Sequence, residues 1–485
     1  MKQIQSKIEI LTPSEVEQIH QATLEVLATV GCRLPQSKIL DKLEQLGANV
    51  NRETGVVKLP HSLVEMALRE TRPTLDDGLT DIHHVPYPFR RGKYMAHPGN
   101  QANIIDYQST SRRQGNTEDV IKGIVLCNEL PFVADAMPLV TASDVPGYMG
   151  DLYGYYLCTL YSKKPYSVYI CSPESARQIL RIWDCVRDDP GRASFPPHVG
   201  YLLEPNGSLS FDRLSLEMAM IFAEAGHDIY VGPMAMTGLD APVTLAGTLV
   251  MQNCYNLAGI LFTWLLGKGG AWAGCAHSVD LRSMLCSFGS PNQVLIGLAA
   301  VQLGRFYGYE TGVNSGLTDA CVPDFQSGFE KGMTGMVALL SGAGGIGAQG
   351  IVGADQGTSF EQLVIDNEWA SAFNHIFELG VEVNDETLGV NVIQKVGVGG
   401  SYIAEEHTVR HARQTYWKSD LFNQASWDAW MAKGGKDVQA KAHEKVQAIL
   451  VKNFPPEIQI SPERKDRVDG IIRDARAHPE WFEER

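Results

Sequence analysis

The sequence predicts an α/β protein: a (β/α)8 TIM barrel with an N-terminal helical segment and a C-terminal helical tail. Three observations carry this. Short apolar runs alternate with amphipathic helical stretches seven or eight times between residues 119 and 400. The runs are continuously apolar rather than alternating, as strands of a parallel sheet covered on both faces must be. No GxGxxG follows the first of them, so nothing favours an open dinucleotide-binding sheet over a closed barrel.

In chain order, "LTPSEVEQIHQATLEVLATVG" opens a helix. Thr12 caps it, Pro13 suits its first position, and Glu15 completes a capping box. Further helices are expected at about 37–46 and 61–71. Residues 72–118 carry Pro, Gly and short strand-like runs such as "KYMAHPGN" and "ANIIDY", read as a hairpin at 94–107 that covers or completes the barrel.

The rhythm then runs helix 119–128, "FVADAMPLV", helix 148–161, "YSVYIC", helix 173–185, "HVGYLLEP", helix 213–226 and "DIYVGPMAM". It continues with a long helix 242–264, "AWAGCAHS", helix 292–306, "YGYETGVNSG", helix 325–341 and "GAGGIGAQGIVG". Beyond about 400 the pattern is helical and charged, a packing tail. The expected division is 1–118 (helices and hairpin), 119–400 (barrel) and 401–485 (helical extension).

An apolar share of 44% with 20% charged residues is that of a globular protein, and the net charge of −15 argues against nucleic acid or an anionic membrane as partner. The start is polar, without a secretory pattern, and the longest apolar stretch, 257–266, is too short to span a bilayer. Nine cysteines without a CxxC pair fit reduced thiols in a reducing cytoplasm, and no zinc or haem spacing occurs, so no metal site is expected.

In a barrel the chemistry lies where strands end. Those ends supply Glu204, Met234, His277, Asn314, Thr318, Asp319 and Gln349, with Tyr94, His97, Tyr201 and Trp272 around them. Aromatic and neutral polar groups beside a carboxylate suit a quaternary ammonium, which has no N–H to donate and is held by charge and ring faces. Each residue also has a plainer role. Met234 can fill the barrel, His97 can serve a turn, and Glu204 can be a loop anion. "GAGGIGAQG" lacks the Lys–Ser/Thr pair of a phosphate loop. No nucleophile–base pair can be assembled. Cys321 lies in acidic "TDACVPD", which disfavours its thiolate, so no catalytic residue is assigned.

Several stretches together resemble the trimethylamine methyltransferase family: the opening helix, "GPMAMTGLDAPVTLAGTLVMQN", "GSPNQVLIGLAAVQLGRFYG", "TDACVPDFQSGFEKGMTGMVALLSGAG", "FEQLVIDNE" and "GVGGSYIAEEHTVRHAR". The likeness runs from about residue 9 to 450. It implies a (β/α)8 barrel that moves a methyl group from an amine to Co(I) of a separate corrinoid protein. This chain would then bind no cofactor itself; the cobalamin belongs to the partner. Founding members carry pyrrolysine in a region matching 312–325, where this chain reads straight through. It is therefore similar to the non-pyrrolysine glycine betaine methyltransferases, whose donors are betaines such as glycine betaine, proline betaine, carnitine and γ-butyrobetaine.

The resemblance thus implies a cytoplasmic, self-associating enzyme that takes a methyl from a quaternary amine. Asn314, Thr318, Asp319 and Gln349 would line the mouth, and Tyr201, Trp272 and His277 would shape the ammonium pocket. Glu204, Trp272 and His277 depart from the family's usual small or neutral residues, leaving room for a bulkier or more cationic donor. A different methyl donor, or a betaine-binding protein without turnover, stay open as alternatives.

Overall fold

The computed structural model describes residues 8–71, 96–190, 200–269, 271–309 and 311–483. Its first helix, Pro13–Thr29, starts as the sequence dictates: Thr12 and Glu15 form the reciprocal capping box, with Pro13 in the first turn. Helices Ser37–Gln45 and His61–Thr71 follow, around a small antiparallel sheet in which Val56–Lys58 lies between Cys32–Arg33 and Asn49–Asn51. This lead-in packs on the helix Leu245–Leu265.

The body alternates extended segments with helices. The helices are Thr117–Glu129, Gly150–Tyr161, Pro173–Val186, Arg213–Glu224, Leu245–Leu265, Pro291–Tyr307, Phe325–Ser341 and Phe360–Leu379. Adjacent extended segments pair in parallel. Gln101 bridges Val140, the Ala136 amide donates to the Pro165 carbonyl, and Gly200–Leu203 runs in register beside Asp228–Val231. Met236 bridges His277, Gly274 bridges Val313, and Val313 bridges Ile346. Ile346–Gln349 then pairs with Ala96–Pro98, so the last segment meets the first. Between 165–170 and Gly200–Leu203 no ladder or bridge joins the described residues.

The runs read as full strands make mostly single bridges. Pro138, Pro165 and Pro233 carry no N–H to donate to a ladder. The hairpin region has two parts. Ala96–Pro98 joins the parallel set, while Asn103–Ile105 and Arg112–Gln114 extend a four-stranded cap with Ile351–Val352 and Gly357–Thr358. In the tail, Val438–Asn453 packs on Phe360–Leu379, and Pro462–Ala477 on Pro173–Val186. No described helix is long and apolar enough to cross a membrane.

A buried polar chain binds the layers. The Trp272 indole donates to Asn253 Oδ1 (3.0 Å), and Asn253 Nδ2 donates to Thr23 Oγ1 (3.0 Å) and the Tyr307 hydroxyl (2.6 Å). Every member has a partner, the condition under which a buried polar network stabilises rather than costs.

Candidate active site

Side chains alternate along extended backbone, so residues that pack on the outer helices identify their neighbours as facing inward. Tyr166 packs on Tyr155 (ring centroids 5.1 Å apart), and Val168 lies against Gly154 of the same helix. Tyr169 therefore faces in. Tyr201 packs on Phe222 of the helix Arg213–Glu224 (5.8 Å), so Glu204, three positions on, lies on the opposite face. Trp272 packs outward on Tyr307, which leaves Cys275 and His277 inward. The electrostatics agree. Burial and then the Glu204 charge push the Cys275 thiol up to about 12.

Tyr169, Glu204, Cys275 and His277 thus face inward where the parallel segments end, and Met234 is exposed. Tyr169 is 49% exposed, yet its phenol is pushed up, first by burial and then by the charges of Glu204, Cys275, Asp355 and Asp135. Burial alone raises the Glu204 carboxyl to about 7. No hydrogen bond or ion pair from a described residue meets it.

His277 is 3% exposed. Asn314 Nδ2 lies 2.9 Å from its Nε2, and its ring stands edge-on to Phe288 at 4.6 Å. Burial lowers its pKa to about 4 against the smaller raising effect of a hydrogen bond with the Gln293 side chain, so the ring is neutral at pH 7.

Thr318 and Asp319 hold the rim. Thr318 Oγ1 donates to Glu330 Oε2 at 2.6 Å, and the Asp319 amide donates to the same oxygen at 2.8 Å. The Asp319 carboxylate accepts from Ser287 Oγ (3.1 Å) and from the Phe288 and Gly289 amides (2.6 and 3.3 Å). Its pKa is raised by burial first and then by the Glu330 charge. A side chain at Gly289 would meet the Glu330 carboxyl at 2.2 Å, so this packing admits only glycine there.

Three residues expected in the pocket point elsewhere. Tyr201 is buried against Phe222, because its strand turns that face to the following helix. Trp272 is fully buried and bonded to Asn253. Gln349 follows a register shift in its strand, which breaks the simple alternation. It lines a cavity of about 10 Å³ behind the sheet with Lys331, Asp366 and Trp369, and its Oε1 has no partner. Tyr94 lies outside the described residues, and of His97 only the backbone is described.

Two residues of the mouth went unforeseen. Tyr169 could have been found by alternation in "YSVYIC". Asp355 sits in a turn where Ala354 (φ +50°) and Asp355 (φ +67°) are both left-handed, a strained pair without glycine. Hydrogen bonds hold the turn: Gly353 N to Ala320 O at 2.7 Å and Ala354 N to Thr318 O at 3.0 Å. The Asp355 carboxylate accepts from Gln101 Nε2 at 3.1 Å, and burial raises its pKa. Among the described residues no group of three or more His, Cys, Asp or Glu is placed to hold a metal ion.

Comparison with known proteins bears on this geometry. The chain is 28% identical over 446 residues to trimethylamine methyltransferase MttB of Desulfitobacterium hafniense, covering 91% of this chain and 89% of that protein. It is 27% identical over 483 residues to a glycine betaine methyltransferase of the same species, covering 97% and 98%. The monomethylamine methyltransferase of Methanosarcina barkeri superposes with a TM-score of 0.44 at 12% identity, over 90% of this chain and 94% of that one. The family model for trimethylamine methyltransferase (MTTB) matches residues 1–473. This chain belongs to the trimethylamine methyltransferase family.

Proposed function

We propose that this chain is a (β/α)8-barrel enzyme that transfers a methyl group from a quaternary ammonium donor to a separate corrinoid protein. The observation that carries the reading is the inward cluster of Glu204 and Tyr169. A carboxylate that no described residue pairs, beside an aromatic face, is the chemistry that recognises a cation without N–H groups. A relative that acts on glycine betaine supports the quaternary class.

The corrinoid supplies a Co(I) nucleophile that accepts the methyl. On this side, the C–N bond breaks with its electron pair left on nitrogen, so the donor departs as a neutral tertiary amine. No proton moves. The neutral His277 fits that requirement, as does a mouth without a nucleophile–base pair. What the chain contributes is placement of the N–CH3 bond and exclusion of water. Asn314 fixes the His277 ring, while Thr318 and Asp319 brace the rim.

The test is to mix the protein with cob(I)alamin and methylated amines and follow methylcobalamin by its absorbance, with and without a candidate corrinoid protein. Turnover with a quaternary amine and none with trimethylamine is expected. Turnover confined to trimethylamine, or none with any amine, would sink the reading.

A further inference from the structure

One stretch of the chain is folded yet contains no buried residue. It spans residues 381–416, includes "GVGGSYIAEEHTVRHAR", and forms the helices Asp385–Leu388, Val390–Val396 and Glu406–Thr415. Its ionic groups pair within it: Lys395 with Glu405 (2.6 Å), and Arg410 with Glu386 and Glu406 (2.8 Å each). Its apolar groups find no such cover. Val381, Leu388, Ile393, Val398, Ile403 and Val409 all stand in solvent, with Ile403 82% exposed.

Helices of four, seven and ten residues do not hold in water by their own hydrogen bonds; packing of an apolar face must hold them. Nor does a lone soluble chain usually carry so much apolar surface in one place. The large apolar side chains of this arm present on the order of 1,000 Å², above the 300–600 Å² typical of the largest patch on a monomer. A stable interface takes about 800 Å² from each partner, so the arm alone supplies enough.

A second apolar face stands open on the barrel. The helix Phe325–Ser341 has two charged residues, Glu330 and Lys331, and both are buried. Phe325, Phe329, Met333 and Val337 recur every four residues along one side of it, with Phe325 90% exposed and Phe329 58%. The lead-in covers Leu245–Leu265, and the tail helices cover Phe360–Leu379 and Pro173–Val186. The first turns of Phe325–Ser341 have no such cover among the described residues.

A second copy of the chain covers both surfaces at once. Related by a two-fold axis, it lays its arm on this helix and receives this arm on its own. A separate protein that comes and goes would leave both faces in water between visits. We propose that the chain forms an arm-exchanged homodimer, in which residues 381–416 of one copy pack along the open side of Phe325–Ser341 of the other, reciprocally. The helix so covered is the one whose Glu330 accepts from Thr318 and from the Asp319 amide, so the interface backs the rim.

The experiment is sedimentation velocity of the full chain at micromolar concentration, with carbene footprinting of the same samples. A species of two chains, or a multiple of two, is expected, with Phe325, Phe329 and Ile403 protected from the label. Ile403→Glu in the arm and, separately, Phe329→Glu on the helix should each weaken association by at least about 30-fold. Both replace exposed side chains, and an unchanged circular dichroism spectrum checks the fold; Val409→Glu replaces the arm variant if that one unfolds. The monomer released by the arm variant should show Phe325 open to the label. A monomeric parent overturns the proposal, whether its arm is labelled or is protected by the rest of its own chain. So does a dimer that both variants leave intact, or one in which Phe325 is labelled as strongly as in the monomer. A monomeric parent whose arm becomes protected only on adding a corrinoid protein overturns it too, and gives the arm to that partner.

Discussion

Asn314 Nδ2 lies 2.9 Å from His277 Nε2, tying together the ends of two neighbouring strand segments and holding an imidazole neutral inside the mouth. Burial is what lowers that ring's pKa from 6.5 to about 4. Between those values the unfolded chain carries a proton that the folded chain refuses. The contribution to stability is therefore complete above about pH 6.5 and falls as pH drops toward 4. We expect His277 to show no ring titration by NMR between about pH 5.5 and 8. His277→Gln should remove an acid-side loss on the order of 2–3 kcal/mol from the pH dependence of unfolding. A ring that titrates near 6.5 would refute the neutral assignment.

Glu204 works with the opposite sign. Its carboxyl is raised from 4.5 to about 7 by burial, so between those values the folded chain holds a proton that the unfolded chain has lost. Stability then falls as pH rises through the window, and the cost persists above it. Glu204→Gln should match the parent near pH 4.5 and exceed it at pH 8 by about 1–3 kcal/mol in urea unfolding. The same variant should lose ligand affinity, the stability–function conflict expected of a binding carboxylate. Equal stabilities at pH 8 would mean that the carboxylate is already compensated.

Trp272 separates packing from recognition. Its indole donates to Asn253 and lies over Tyr307, and an added methyl at Gly304 would stand only 3.0 Å from the ring. Trp272→Phe leaves the buried Asn253 oxygen without its donor and opens space in the layer. The expected cost is about 2–4 kcal/mol in denaturant unfolding. At temperatures where the variant is folded, quaternary-amine affinity should be unchanged. A change of more than about threefold would place the ring nearer the ligand than the structure does.

Helix ends were the most legible part of the sequence. The Thr12–Glu15 capping box and the helix Phe325–Ser341 are local chemistry and fall where sequence places them. The 94–107 region reads as covering or completing the barrel, and Ala96–Pro98 does pair with Ile346–Gln349; that only this part of it does so was not legible, because a ladder between residues so far apart leaves no local mark. Within the site the split follows the same logic. Glu204, His277 and Asn314 end apolar runs and could be read as a mouth. Tyr201 and Trp272 sit on the same runs but at the opposite parity, and only packing partners such as Phe222 and Tyr307 reveal which parity faces out. Asp355 escaped because nothing in the sequence marks that Ala354 and Asp355, beyond Gly353, also take left-handed backbone.

The pair behind the mouth gives the strongest stability test. Lys331 Nζ lies 2.8 Å from Asp366 Oδ2, with side chains 2% and 4% exposed. Asp366 also accepts from the Gly350 amide (2.8 Å) and from Gln362 Nε2 (2.7 Å), so its charge braces the strand end beside Gln349. Removing one partner strands the other as a buried charge. Lys331→Met or Asp366→Asn alone should cost about 3–5 kcal/mol, whereas a double change to apolar residues should cost clearly less than the sum. A double-mutant cycle in guanidinium unfolding measures this. Additive losses would mean that the two groups act independently, and that Asp366 serves the Gly350 and Gln362 donors rather than the ammonium of Lys331. A large coupling would show that the ion pair itself holds the strand end in place, and with it the Ile351–Thr358 turn that delivers Asp355 to the mouth.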